Sequence, residues 1–210
     1  WRFTSTDESR AALQCLRLGP EPRTVWATNG AYAVKVEVLA KLNEADFPVI
    51  PGVTWQEAKD GESILLPTET AKAALKALKA LKAQKAVARS FPVLQCARVG
   101  LEAGTGDAPA HVVVAVTDLE RPTVFRARVS DATFPEVAHL FDEFELKALN
   151  APIDLSGRYV ADIGTYATLL ARRGAGVAVT WEFSGSDKPV RFSWVDGEHR
   201  VTGLLSPIQR

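Results

Sequence analysis

The sequence predicts an α+β fold of repeated β-α-β-β(-β) units, with helices packed on one face of antiparallel sheets. Three observations predict it. Three stretches carry a helical apolar period behind an N-cap-rich start. Between them lie short β-rich runs separated by turn residues. One helix recurs for every three or four strands, with a period of roughly 70 residues, too long for a solenoid.

The helices come first. After Thr6-Asp7-Glu8-Ser9, Ala12, Leu13, Cys15 and Leu16 form an apolar face, and Arg10, Gln14 and Arg17 recur on another. Gly19-Pro20 ends this predicted helix. After Pro67-Thr68-Glu69-Thr70, Leu75, Leu78 and Leu81 are expected to face inward among alanines, with an end near Leu81 to Ala83. After Leu155-Ser156, the stripe is Tyr159, Val160, Ile163, Ala167 and Leu170, stopped by Arg172-Arg173-Gly174.

Strands fill the rest. Thr24 to Thr28 and Ala31 to Val38 flank Asn29-Gly30, a hairpin signal. Ser63 to Leu66 is a short strand. Val93 to Leu101, His111 to Thr117 and Val124 to Val129 form a meander, and Phe144 to Leu149 is a further strand. Val177 to Phe183, Val190 to Val195 and Arg200 to Leu205 form a last meander, turning at 185–189 and at Asp196-Gly197. Leu39 to Lys59 is a loop holding one strand near Thr54-Trp55. The predicted organisation is a domain over 1–140, made of units 1–66 and 67–140, followed by a half-domain over 141–210.

Composition excludes little. The 210 residues suffice for a substantial core. Lys+Arg and Asp+Glu are both 25, so any preference for an anion depends on where the charges sit. The two cysteines, Cys15 and Cys96, make no disulfide framework, which predicts a reducing, cytoplasmic setting. No apolar run approaches the ~18 residues of a membrane span. The chain opens at Trp1 without any Met, so the true N-terminus is expected upstream.

Catalytic signatures are absent. His111, His139 and His199 are scattered, with no metal spacing among them. The glycines between Gly100 and Gly106 are followed by neither Lys-Ser/Thr nor a helix, so a turn is the reading. No metal, no cofactor and no enzymatic activity are predicted. An α+β enzyme with a spatially assembled site is the least favoured alternative.

The helix faces carry more. At about 100° per residue, Lys72, Lys76 and Lys79 fall within about 60° of one another. Arg10 and Arg17 repeat the idea on the first predicted helix. Lys82, Lys85 and Arg89 rotate onto the leucine side and leave the set. Cationic helices side by side form a surface for a phosphate backbone, independent of base sequence. A solvated face, with cations helping the helix dipole, is the plainer alternative.

Trp26-Ala27-Thr28-Asn29-Gly30-Ala31-Tyr32 looks like an A-T-D-G-x-R loop. Ile64-Leu65-Leu66-Pro67 matches a strand–Pro–helix junction, and Phe134-Pro135-Glu136-Val137 an F-P-D/E-Y motif. Leu149-Asn150, Leu155 and Tyr159-Val160-Ala161-Asp162 look like F-N-x-x-Y-L-x-D. Leu204-Leu205-Ser206-Pro207-Ile208 is close to a C-terminal V-M-P-V/M. In these segments and their order the sequence resembles the DNA sliding clamps, and the bacterial DNA polymerase III β-clamp in particular, as a shortened or divergent member. Asn29, Tyr32 and Ser206 depart from the family's Asp, Arg and Met. The number of units is odd where clamp subunits carry an even number.

The resemblance implies a non-catalytic processivity factor of DNA replication and repair. It implies rings with sheets outside and basic helices inside, contacting double-stranded DNA, and a homo-oligomer. It also implies a groove that captures short linear motifs of polymerases and repair proteins, here Thr28, Gly30, Tyr32, Ala33, Leu140, Phe141, Leu204, Ser206 and Pro207. Such a groove suits an extended peptide with aromatic or Leu anchors. The alternative is a monomeric clamp-fold interaction module that does not encircle DNA.

Overall fold

The computed structural model describes residues 2–21, 23–39, 47–56, 62–81, 93, 96–104, 109–148, 152–170 and 177–208. The fold is α+β, with two antiparallel sheets. The larger contains β1 (Cys15–Leu18), β2 (Thr24–Thr28), β3 (Tyr32–Val38), β5 (Ile64–Pro67), β9 (Thr180–Glu182), β10 (Val190–Val195) and β11 (His199–Leu205). Their order is β5-β1-β2-β3-β11-β10-β9. The smaller holds β4 (Trp55–Gln56), β6 (Arg98–Glu102), β7 (His111–Val116) and β8 (Thr123–Arg128), in the order β4-β6-β7-β8. Among the described residues three α-helices accompany them: α1 (Thr68–Leu81), α2 (Ala138–Asp142) and α3 (Gly157–Leu170).

Alternation along the strands assigns the two faces of the larger sheet. Ala27, Tyr32, Val34, Phe192, Trp194, Val201 and Leu205 point one way and are covered by Ile163 and Ala167 of α3. Ile163 is fully buried, which contributes ~2–3 kcal/mol. The sheet is tight here: a Cβ on Gly203 would overlap the Phe192 ring. The opposite face carries Trp26 and Ala33, which meet Phe134, Val137 and Phe141.

Helix α1 packs on β7 through Ala71, Ala74, Leu78 and Leu81, opposite Val112, Val114 and Val116. The expected inward Leu75 is instead 37% exposed. Ala74, at 3%, occupies the contact line, because a methyl group lets the helix approach the sheet closely. Strand β7 is buried on both faces from Val112 to Val116, which explains its unbroken apolar run.

Local signals explain the β2–β3 hairpin. Gly30 has φ +93, and the Asn29 side-chain oxygen accepts the N–H groups of Ala31 and Tyr32 at 2.9 and 3.2 Å. The Thr28 hydroxyl donates to the Tyr32 carbonyl and accepts from the Gly30 N–H.

Three further expectations are corrected. The first predicted helix is a short 3-10 turn, Ala11–Gln14, followed at once by β1. The polar run before it folds on itself, with Asp7 Oδ1 accepting both the N–H and the hydroxyl of Ser9. Cys15–Leu18 then pairs with β5 along four residues and with β2 on its other side, and this pairing overrides local helix preference. Arg10, Gln14 and Arg17 therefore share no helix face. The predicted strand from Phe144 is a strap across the sheet: Phe144 lies under the Arg191 guanidinium at 4.3 Å, and the Lys147 N–H reaches the Phe183 carbonyl. Among the described residues, the predicted strand from Val93 joins its sheet over Arg98–Glu102, and residues 94 and 95 lie outside them.

Other elements lie where expected, including the strand at Trp55, the last meander and both long helices. Lys82, Lys85, Arg89 and the predicted stop at Arg172-Arg173-Gly174 lie outside the described residues. The larger sheet is continuous across 140/141, since β3 pairs with β11 along seven residues. The smaller one crosses 66/67 through the β4–β6 pair.

Candidate functional site

A shallow apolar cleft of about 150 Å³ opens at one end of the larger sheet, on the face away from α3. Its floor is Thr28, Ala33 and Leu204, with Ala33 and Leu204 paired across β3 and β11. Pro135, Val137 and Leu140 form one wall, and Pro189 and Ser206 the other. Leu13 and the Gly30-Ala31 turn close the end. The wall from Pro135 to Leu140 is fixed by Phe134 and Phe141, which clamp Trp26; the Phe141 and Trp26 rings meet edge-on at 5.2 Å.

Seven of the nine groove residues expected from the sequence line this cleft: Thr28, Gly30, Tyr32, Ala33, Leu140, Leu204 and Ser206. Phe141 stands behind the wall and Pro207 lies off the lining. Tyr32 contributes little more than an edge. Its ring sits in the core against Phe3 and Tyr159, and its hydroxyl donates to the Arg2 carbonyl at 2.8 Å. Burial, aided by the nearby Asp162 carboxylate, pushes its phenol up to about 12, so it stays protonated. Sequence reasoning missed Leu13, Ala31, Pro135, Val137 and Pro189. Pro135 and Val137 belong to the quoted F-P-E-V motif, whereas Leu13 was assigned to a helix that does not form.

The expected cationic set is dispersed. On α1, Lys76 and Lys79 are exposed, while the Lys72 ammonium is 2.6 Å from Glu69. Arg17 lies on β1 with its side chain only 14% exposed; it donates to Ser63, pairs with Glu136 and stacks on Phe134. Its placement is structural, pinning the strap to the sheet. Arg10 sits beside Gly30, its Nε 3.5 Å from Asp7. The outward face of α3 carries Ala161, Gly164, Thr165, Thr168 and Leu169, with a cation only at Arg158 in the first turn. The Thr165 and Thr168 hydroxyls turn back to the carbonyls of Ala161 and Gly164.

A larger polar cleft of about 1120 Å³ separates the Arg2–Arg10 segment from the starts of α1 and α3. Three of its cations have acids beside them: Arg2 with Asp162, Arg10 with Asp7, and Lys72 with Glu69. The first turns of both helices border it. Among the described residues no group of three or more His, Cys, Asp or Glu side chains is placed to hold a metal ion, and no helix is long and apolar enough to cross a membrane.

No protein-family model matches the chain, and no curated protein matches it in sequence. Solved structures do. The sliding clamp of Pseudomonas aeruginosa, bound to griselimycin, is 10% identical over 99% of this chain and 60% of its own, with a TM-score of 0.49. The β subunit of the Streptococcus pyogenes DNA polymerase is 12% identical over 99% and 61%, with a TM-score of 0.49. PCNA of A. fulgidus, bound to the C-terminal region of FEN-1, is 12% identical over 96% and 94%, with a TM-score of 0.42. The chain thus spans about 60% of the length of the bacterial clamps it matches.

Proposed function

We propose that the protein is a non-catalytic, clamp-like scaffold that holds an extended peptide of a replication or repair protein in the apolar cleft. One observation carries the reading. Residues from widely separated parts of the chain (Thr28, Ala33, Leu140, Leu204 and Ser206) converge on one cleft with an apolar floor. That shape suits a strand-like segment with one or two apolar anchors. Leu140, 40% exposed on the wall, is the position to change without disturbing the core. Leu140→Asp is expected to weaken capture of a blocked Leu-Phe peptide at least tenfold by fluorescence anisotropy, with unchanged thermal unfolding. Equal affinity for both proteins would place the peptide elsewhere.

The duplex-contacting part of the proposal rests on α1. Lys76 and Lys79 are exposed on a helix whose first turn borders the same cleft as the first turn of α3. Changing both to Glu is expected to weaken duplex binding at low salt and to reduce the salt slope by about 2, one per phosphate contact. An unchanged slope would remove α1 from the DNA surface.

A second reading, an interaction module that does not encircle DNA, is favoured by the neutral outward face of α3 past Arg158. It predicts a monomer in sedimentation, with or without duplex DNA. A ring-sized assembly on DNA would sink it.

A further inference from the structure

Each sheet ends in two terminal strands, and one of these four is built to pair further. Strand β4 spans two residues and β9 three, and the Phe183 carbonyl that follows β9 already accepts the Lys147 N–H. Strand β5 spans four and ends in Pro67, which has no N–H. Strand β8 spans six, Thr123–Arg128, without a proline. Among the described residues its one neighbour is β7.

The ladder fixes which groups of β8 face outward. The Val129 N–H donates to the Ala110 carbonyl at 3.1 Å, one step beyond the His111↔Arg128 pair. Alternate residues of an antiparallel strand turn their backbone groups to opposite sides. Thr123, Phe125 and Ala127 therefore bond to β7, and the N–H and C=O groups of Val124, Arg126 and Arg128 point away from it. Open rows of this kind are commonly guarded by a charged side chain. Arg126 holds that position and leaves it clear. Its side chain runs back across β7, where Nε and Nη2 donate to the Glu102 carboxylate on β6 at 2.8 and 3.2 Å, and Nη2 to the Gly52 carbonyl at 3.0 Å.

The side chains suit a second copy. A two-fold axis at Arg126 sets Val124 opposite the partner's Arg128, and Phe125 opposite the partner's Ala127. A ring then meets a methyl group on the face that carries α1, where Phe125 already packs with Val112, Val114 and Val116. Like charges meet only at Arg126, and there each guanidinium is drawn away from the axis by its own Glu102. We propose that β8 is an interface between two copies of this chain, which pair antiparallel about Arg126 and join their smaller sheets into one. A two-fold contact closes on itself, so association stops at the dimer. No β8 residue lines the apolar cleft, and the inference stands apart from peptide capture.

The test uses the full chain. Sedimentation over a concentration series is expected to show monomer passing to dimer and nothing larger. Val124→Pro deletes an outward N–H that β7 does not use, so the sheet keeps its own ladder. It is expected to weaken the dimer about tenfold. Thermal unfolding at monomeric concentration and peptide capture at the cleft should both stay at their wild-type values. Arg126→Cys sets two thiols opposite each other across the axis, within the ~4.4–6.8 Å Cα separation that a disulfide spans. Mild oxidation is expected to link that variant into a covalent dimer. Thr123→Cys, far out of register with its copy, should link much less. A chain that stays monomeric across the series, or an assembly that grows past the dimer as head-to-tail pairing would, overturns the inference. So does a dimer indifferent to Val124→Pro, or equal cross-linking from the two cysteine variants.

Discussion

Asp196 shows how single residues set this fold. Its carboxylate accepts the N–H groups of Glu198 and His199 at 3.0 and 2.7 Å and faces the His199 ring at 3.2 Å. Burial opposes its charge, but these donors outweigh it and hold the carboxyl below its ordinary value. A depressed carboxylate stabilises the folded state above the unfolded pKa, and the contribution disappears as pH falls through the folded one. Asp196→Asn is therefore expected to cost about 1 kcal/mol at pH 7. In urea unfolding the gap between variant and wild type should begin to shrink below about pH 4, where the carboxyl of the unfolded chain protonates, and close as pH falls through the lower folded-state value. A gap constant with pH would assign the cost to shape rather than charge. The turn was legible from Asp196-Gly197 alone; the shielding of the carboxylate, whose side chain is 3% exposed, was not.

At the scale of elements, the strap over 134–148 is the least conventional piece. It has one short helix and no strand, yet it builds a wall of the cleft. Phe134, 8% exposed, anchors it against Trp26 and beneath Arg17. Phe134→Ala is expected to cost about 3 kcal/mol and to loosen peptide capture as well. A denaturant midpoint that falls with an unchanged m-value, together with weaker peptide anisotropy, checks this. Lost stability with full capture would show that the wall stands without its anchor. The strap also shows where sequence reading runs out. The alternation of Phe144, Leu146 and their charged neighbours imitates a strand. In the structure Phe144 is held by a cation and Leu146 is 69% exposed, a pattern that periodicity cannot distinguish. The opposite error occurs at β1, where four residues between a polar turn and Gly19-Pro20 are too few to reveal their period. By contrast, α1, α3, β2, β3, β10 and β11 were legible because each has a long pattern and its own stop signals. Most of the cleft followed from motif resemblance. The part of the cationic face expected at Arg10 and Arg17 rested on a helix that is instead the 3-10 turn Ala11–Gln14 and strand β1, while Lys76 and Lys79 are exposed on α1.

The molecule as a whole is held together at the centre of its larger sheet. Strands β3 and β11 come from opposite parts of the chain and pair from Tyr32↔Leu205 to Val38↔His199. The apolar face of β3, with Tyr32 and Val34, is covered by α3, which also comes from the C-terminal part. A fragment of residues 1–148 keeps α1 and the smaller sheet. It loses both the partner of β3 and the cover over Phe3, Tyr32 and Val34. An open, apolar strand edge is a site for association. The fragment alone is therefore expected to self-associate and to unfold with lower cooperativity than the full chain. Adding residues 152–210 is expected to restore a single transition, because it supplies β11, β10 and α3 together. The two signals to follow are sedimentation of 1–148 and the fluorescence of Trp194, which is 3% exposed in the core that includes Ile163 and Ala167 of α3. A monomeric 1–148 that melts in one sharp transition would show instead that the sequence-derived boundary near 140 separates units that fold alone. The cleft provides an independent reading of the same question: its floor needs Ala33 from one fragment and Leu204 from the other, so peptide capture should return only with the complex.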